Sequence, residues 1–238
     1  MKSTITGEQT LGTVVSLYPG SVELLNEHKI DYCCGGRRSL GEALEERGFE
    51  ISAFVSDLNE RYQLSLTTEE TSRDWREAGP IEIIDHILRT HHVFTKKELV
   101  EIDSLLFTVL KVHFKTNGDS LLEIHNLFGT LKIELEEHLV KEEENLFPLV
   151  EQYVTTPSAE SLAVVQDFIA DTEGEHEAAG GLLRRLDDAT NHFVPPKEAC
   201  ASYKLVYKKI EMLMKDIFNH IHLDNNVLFE SLLPGYAN

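Results

Sequence analysis

The chain has 238 residues, 42% hydrophobic and 26% charged, a balance that buries a packed core and excludes a disordered polymer. Its formal net charge is −19, from 41 acidic against 22 basic residues, so DNA and anionic membranes are repelled and excluded as primary partners. Three cysteines, two of them adjacent, make a poor disulfide framework and point to a reducing cytoplasm.

The opening Met1-Lys2-Ser3-Thr4-Ile5-Thr6-Gly7-Glu8 lacks the apolar stretch of a secretory leader, and no run of eighteen apolar residues predicts a membrane span. Residues 1–63 read as a small domain of short helical pieces. Tyr18-Pro19-Gly20-Ser21 starts one, and Ser39-Leu40-Gly41-Glu42 has the form of a capping box, in which Ser39 and Glu42 each reach the other's backbone. Between them lies Asp31-Tyr32-Cys33-Cys34-Gly35-Gly36-Arg37-Arg38. Adjacent cysteines rarely bond to each other, because the ring strains the peptide between them. Beside Gly35-Gly36 and two arginines the thiols are expected to be accessible and biased toward thiolate, a possible relay; the alternative is a buried pair that packs the small domain. Cys200 is expected to be structural. Residues 64–79, with the polar Thr67-Thr68-Glu69-Glu70-Thr71-Ser72, read as a linker closed by Gly79-Pro80.

From 80 to 238 four long segments, about 81–113, 119–152, 158–189 and 196–233, carry apolar residues at steps of three and four. Asn117-Gly118, Thr156-Pro157 and Pro195-Pro196 separate them. The pattern predicts an all-α antiparallel four-helix bundle preceded by the small helical domain.

On the buried stripes of this bundle stand residues that do not belong in an apolar core. His138 and Glu142 sit one turn apart, as do His220 and Asp224, and each pair runs into a Leu-Phe ending, Leu146-Phe147 and Leu228-Phe229. His176 lies on the third stripe. An ionised carboxylate in such a place costs several kcal/mol unless it is paired or coordinated. The first segment offers His86, His91 and His92; His92 continues its stripe, whereas His91 fits a slightly rotated one. The interval from 92 to 138 is 46 residues and that from 176 to 220 is 44, so each half holds one lone histidine and one His-x-x-x-acid pair. Four imidazoles and two carboxylates suffice for two metal ions with bridging carboxylates. This donor set favours iron, manganese or zinc over calcium and magnesium, and without cysteine a di-iron site is preferred to manganese or zinc. Positions would stay open for oxygen or nitric oxide. Glu134 and Glu175 either orient ligands and move protons or are ordinary solvated acids. His28, His113, His125, His192 and His222 read as surface or boundary residues, and Lys141, Glu143 and Glu144 as a solvated face.

Asp31-Tyr32-Cys33-Cys34-Gly35-Gly36, Asp74-Trp75-Arg76, Ile83-Ile84-Asp85-His86, His138-x-x-x-Glu142-Glu143-x-x-Leu146-Phe147-Pro148, Glu175-His176-x-x-Ala179-Gly180 and Asn225-Asn226-Val227-Leu228-Phe229 together resemble the repair-of-iron-centres family over nearly the whole chain. The resemblance implies a cytoplasmic, homodimeric protein with a hemerythrin-like bundle and a non-haem di-iron centre. It further implies that His92, His138, His176 and His220 are the nitrogen ligands, with Glu142 and the residue at 224 bridging, which selects His92 over His91. Glu134 and Glu175 match acids near the family's site. The sequence departs at 224, where Asp replaces the family's usual Glu and is one methylene shorter. The implied role is to restore iron–sulfur clusters after nitrosative or oxidative damage, with iron–sulfur proteins as partners. Two alternatives stand beside it: an enzyme reducing nitric oxide at the same centre, and a hemerythrin-like oxygen or nitric oxide sensor or carrier.

Overall fold

The computed structural model describes residues 4–66 and 73–232. Its named elements are all helices; among the described residues the only extended pairing is a single backbone bridge between Thr10 and Ser39. The expected linker stretch Thr67–Ser72 lies outside the described residues. The chain forms two compact units, Met1–Ile83 with Ile221–Asn238, and Ile84–His220.

In the first unit, α1 (Leu11–Leu17), α2 (Ser21–Glu27), α3 (Leu40–Glu46) and α4 (Ile51–Ser65) are short. Isolated helices of seven residues do not hold in water, so tertiary packing must hold them. Leu11, Val14, Leu25, Leu40, Leu44 and Leu58 are buried and supply it. The predicted capping box is present: Glu42 N donates to Ser39 Oγ at 3.2 Å and Ser39 N to Glu42 Oε2 at 3.1 Å. The C-terminal segment joins this unit through a wide turn, Asp224–Leu228, and α10 (Phe229–Ser231), whose Val227, Leu228 and Phe229 are buried.

Asn226 ties that segment to the double-cysteine loop. Its Nδ2 donates to the Cys33 carbonyl at 3.0 Å and the Tyr32 carbonyl at 3.4 Å. A side chain at Gly36 would put its first carbon 1.9 Å from Asn226 Oδ1, so only glycine admits the carboxamide. Gly36→Ala is therefore expected to destabilise the unit by about 2 kcal/mol, from overpacking plus a lost buried hydrogen bond. Asn226→Ala added to it should recover part of the loss, and urea unfolding of the four proteins of that cycle reads the coupling. Strict additivity would contradict the contact.

The second unit begins within α5 (Pro80–Ile87), which passes through the wide turn Leu88–His92 into α6 (Val93–Lys141), and this passes through a second such turn, Glu142–Leu146, into α7 (Phe147–Thr155). The predicted break at Asn117-Gly118 is a single residue, Asn117, with φ −138° and ψ 24° inside an otherwise helical run. A straight helix of this length would separate its ends by about 70 Å at 1.5 Å per residue. Instead Lys96 Nζ lies 2.7 Å from Glu143 and Lys132 Nζ 4.0 Å from Asp103, pairs centred on residues 117–120. The chain thus folds back at Asn117, and the two limbs run antiparallel. Then come α8 (Ala159–Ala189) and α9 (Ala201–Leu223). The fourth segment, expected from 196, begins at Ala201, after Asn191, His192 and Phe193 have made the turn with φ of 52°, 58° and 57°. Contacts Glu98–Lys209 at 2.7 Å and His91–Asp216 at 3.0 Å set α9 antiparallel to the first limb. His138–Glu175 at 3.0 Å places α8 beside the second. Leu99, Ile102, Leu106, Phe128, Leu131, Val165, Leu183, Val206, Ile210 and Leu213 fill the interior. At roughly 1.5–3 kcal/mol for each fully buried side chain, this core can carry the cost of the ionisable groups it encloses.

Candidate metal centre

His92, His138, His176 and His220 are all buried, as is Glu142, which is wholly inaccessible at 0% exposure. Each comes from a different limb of the bundle except His138 and Glu142, one turn apart on α6 and the turn after it. Glu142 Oε2 lies 3.2 Å from His92 Nε2, 3.3 Å from His138 Nε2 and 3.5 Å from His220 Nε2, and its Oε1 is 3.9 Å from His176 Nε2. Neither oxygen accepts a well-directed hydrogen bond.

The rings are held from behind. His92 Nδ1 donates to Glu143 Oε1 at 2.7 Å, and His138 Nδ1 donates to Glu175 Oε2 at 3.0 Å. A carboxylate only accepts, so both Nδ1 atoms carry hydrogen, and Nε2 is the nitrogen each ring turns inward to offer a cation. Those nitrogens face a carboxylate and one another: His92 Nε2 is 3.3 Å from His220 Nε2, and His138 Nε2 is 3.2 Å from His176 Nε2. Acceptors converging on acceptors in a dry core require a cation among them. Two nitrogens bound to one ion at about 2.1 Å stand roughly 3.0–3.4 Å apart, depending on geometry, and both pairs fall in that window. The ligand atoms form two groups, His92–Glu142–His220 and His138–Glu142–His176, that share Glu142. This donor set fits transition-metal ions.

Without metal, a proton must do part of the same work. Burial pulls the His138 ring down, but Glu142 and Glu175 overcome it and raise the imidazole to about 9. Glu142 is held well below the usual carboxylate range, its burial outweighed by His138 and the neighbouring imidazoles. Glu175 is drawn down to about 2 by its bond to His138 and by Lys141, whose Nζ lies 2.7 Å away. Removing it frees the His138 ring. Glu175→Ala should therefore weaken metal binding by about tenfold or more, read by competition with a chromophoric chelator. Unchanged affinity would show that the bond orients nothing.

The structure explains why the stripe alone left His91 and His92 open. The wide turn Leu88–His92 adds a residue to the helical register, and both rings are buried. His92 meets Glu142, whereas His91 bonds Asp216 at 3.0 Å and stacks on His220 at 5.7 Å and 3°. The same kind of turn begins at Glu142 and at Asp224. Asp224 lies four residues past His220 and is buried at 0% exposure.

Several expectations need correction. Glu143 and Lys141 are not a solvated face: one anchors His92, the other the acid that anchors His138. Glu144 is exposed, as expected. Glu134 is exposed, and Glu175 is the acid that meets His138. His222 is buried, bonded to Ser16 Oγ at 3.3 Å, and pushed down to about 4 by its burial and the Arg76 charge. Cys200 is exposed, with its thiol 3.2 Å from His113 Nε2. Cys33 is not an accessible thiolate. It is 2% exposed, and its bond to Cys34, burial and the negative neighbours push the thiol well up. The arginines expected to favour thiolate pair elsewhere, Arg37 with Glu230 at 2.7 Å and Arg38 with Glu46 at 2.6 Å. Among the described residues no helix is long and apolar enough to cross a membrane.

Residues 83–232 match the hemerythrin HHE cation-binding domain, and residues 7–62 match a domain of unknown function, DUF542. The chain is 32% identical over 229 residues to proteins named iron-sulfur cluster repair protein YtfE from Shigella boydii serotype 4 (strain Sb227) and Escherichia coli O157:H7. The same identity holds for that of Escherichia coli (strain K12 / DH10B), and in each case the match covers 96% of this chain and 98% of the relative. With both domains in this order and a metal-ready bundle core, the chain belongs to the family of hemerythrin-domain iron–sulfur cluster repair proteins.

Proposed function

We propose that this protein holds two iron ions in its bundle and uses them to repair iron–sulfur clusters damaged by nitrosative or oxidative stress, acting on iron–sulfur proteins. The observation that carries the reading is the pair of three-residue groups sharing Glu142. The repair function itself comes from the relatives' name. Iron in this place would supply redox chemistry and positions open to exchange with small ligands such as nitric oxide or oxygen. The chain's own residues do the rest: Glu143 and Glu175 hold the Nδ1 protons outward, so the Nε2 lone pairs converge. The buried apolar shell keeps water from competing for those positions.

Asp224 is proposed as the second bridging carboxylate, from its spacing to His220 and its burial. Being one methylene shorter than glutamate, it would hold one of the two ions less firmly, which suits a donor. Homodimerisation is proposed from a row of exposed apolar side chains at seven-residue intervals on the first limb of α6, Val93, Val100, Phe107 and Phe114. Such a row lines one face of a helix.

To test repair, the iron-loaded protein is incubated with an enzyme whose cluster nitric oxide has damaged. Recovery faster and fuller than with the same iron free in solution supports the donor role, and recovery no better than free iron rejects it. Consumption of nitric oxide by the reduced protein, without cluster recovery, would favour the reductase reading instead.

A further inference from the structure

Outside the bundle, one other group of side chains in the described residues combines ligating chemistry with burial: Asp31, Cys33 and Cys34, whose ligand atoms all lie within 4.8 Å of one another. The Sγ atoms of Cys33 and Cys34 are 3.7 Å apart, and Cys33 Sγ is 3.3 Å from Asp31 Oδ1. Two thiolates on one tetrahedral ion at a metal–sulfur distance of about 2.3 Å stand roughly 3.8 Å apart, and a thiolate and a carboxylate oxygen roughly 3.6 Å apart. The loop therefore already holds its sulfurs at the spacing of a tetrahedral edge and lies close to it for sulfur and oxygen.

The placement is built rather than accidental. Asp31 Oδ1 also accepts from the backbone N of Cys34 at 3.0 Å and of Gly35 at 3.3 Å, fixing the carboxylate under the turn. A side chain at Gly35 would meet the Asp31 carbonyl at 2.6 Å, so the close approach depends on glycine. From the other side, Asn226 Nδ2 holds the Cys33 carbonyl at 3.0 Å. The two arginines of the motif also pair with Glu230 and Glu46.

We infer that Asp31, Cys33 and Cys34 form a second metal site, a three-ligand pocket for a thiophilic divalent transition ion whose fourth position is left to an exogenous ligand. On binding, two S–H bonds are replaced by two metal–sulfur bonds, and two protons leave to solvent. Two thiolates, one carboxylate and a divalent ion leave a net charge of −1, two units less negative than the same three groups fully ionised. An open fourth position suits a site that passes its ion on, because an incoming thiolate can enter without first displacing a protein ligand. The inference does not depend on the bundle reading.

Cobalt(II) tests it, because thiolate ligation gives an intense sulfur-to-cobalt charge-transfer absorption that histidine and carboxylate ligands cannot produce. The full-length chain carrying Cys200→Ser, reduced with a phosphine, is titrated with the ion. One equivalent per chain beyond that taken up by the Cys34→Ser protein should develop that absorption, and Cys34→Ser should abolish it. Asp31→Asn should weaken binding by about tenfold or more. The parent should release two more protons per chain than Cys34→Ser. Cys34 is only half-buried, so its serine variant keeps the fold even if Cys33→Ser does not. No sulfur charge transfer, a band that survives Cys34→Ser, or one that needs many equivalents would overturn the site. None of these outcomes touches metal content in the bundle.

Discussion

Glu142→Gln should strip the bundle of its metal: apparent affinity is expected to fall by at least about a hundredfold, and the purified protein to hold less than about a tenth of its normal metal. Loss of a group that merely orients a ligand costs about 10- to 100-fold, and Glu142 is shared by both groups of ligand atoms, so its loss should cost more. Glutamine keeps the volume but carries no charge, and its amide would push N–H donors toward Nε2 atoms that must donate lone pairs. The metal-free fold should survive, because the surrounding helices rest on their own apolar core. Elemental analysis beside far-ultraviolet circular dichroism reads both halves. Stoichiometric metal in a folded Glu142→Gln protein would end the proposal of a shared bridging carboxylate.

The metal-free protein is expected to lose stability as pH rises, the reverse of ordinary acid denaturation. His138 is raised from 6.5 to about 9 in the folded state. A raised group contributes stability that is fully present below its unfolded value and is lost as pH climbs through the folded one. The loss thus falls between about pH 6.5 and 9, and linkage puts it on the order of 3 kcal/mol for this buried ring. Urea unfolding of chelator-treated protein at pH 6.5, 7.5 and 9 measures it. With metal bound, the ion replaces the proton and the slope should disappear, while metal affinity should rise over the same window as the competing proton is lost. A flat profile for the metal-free protein would mean that His138 is neutral there.

Much of the centre was legible before any fold was known. His138, Glu142, His176 and His220 stand on apolar stripes where ionisable groups are costly, and the repeat of a His-x-x-x-acid pair singled them out. Those signals are local: helical periodicity places a side chain on a face, and burial of that face does the rest. The capping box at Ser39 and Glu42 was readable for the same reason, since both partners belong to one helical turn.

What the periodicity could not carry was anything that shifts its phase or crosses between helices. The wide turns at Leu88–His92 and Glu142–Leu146 insert a residue into the register, which is why His91 and His92 could not be separated by stripe alone. Glu143 and Lys141 lie off the buried stripe of their own helix and look solvated in sequence. Only the antiparallel return of the chain at Asn117 brings His92 to Glu143, and only the packing of α8 brings Glu175 to Lys141. Likewise the arginines beside Cys33 and Cys34 suggested thiolates, but their charges are taken by Glu230, nearly two hundred residues away, and by Glu46. The sequence by itself determined which side chains would be buried with charge; the tertiary structure decided which of them meet, because partners across helices are set by packing and not by spacing.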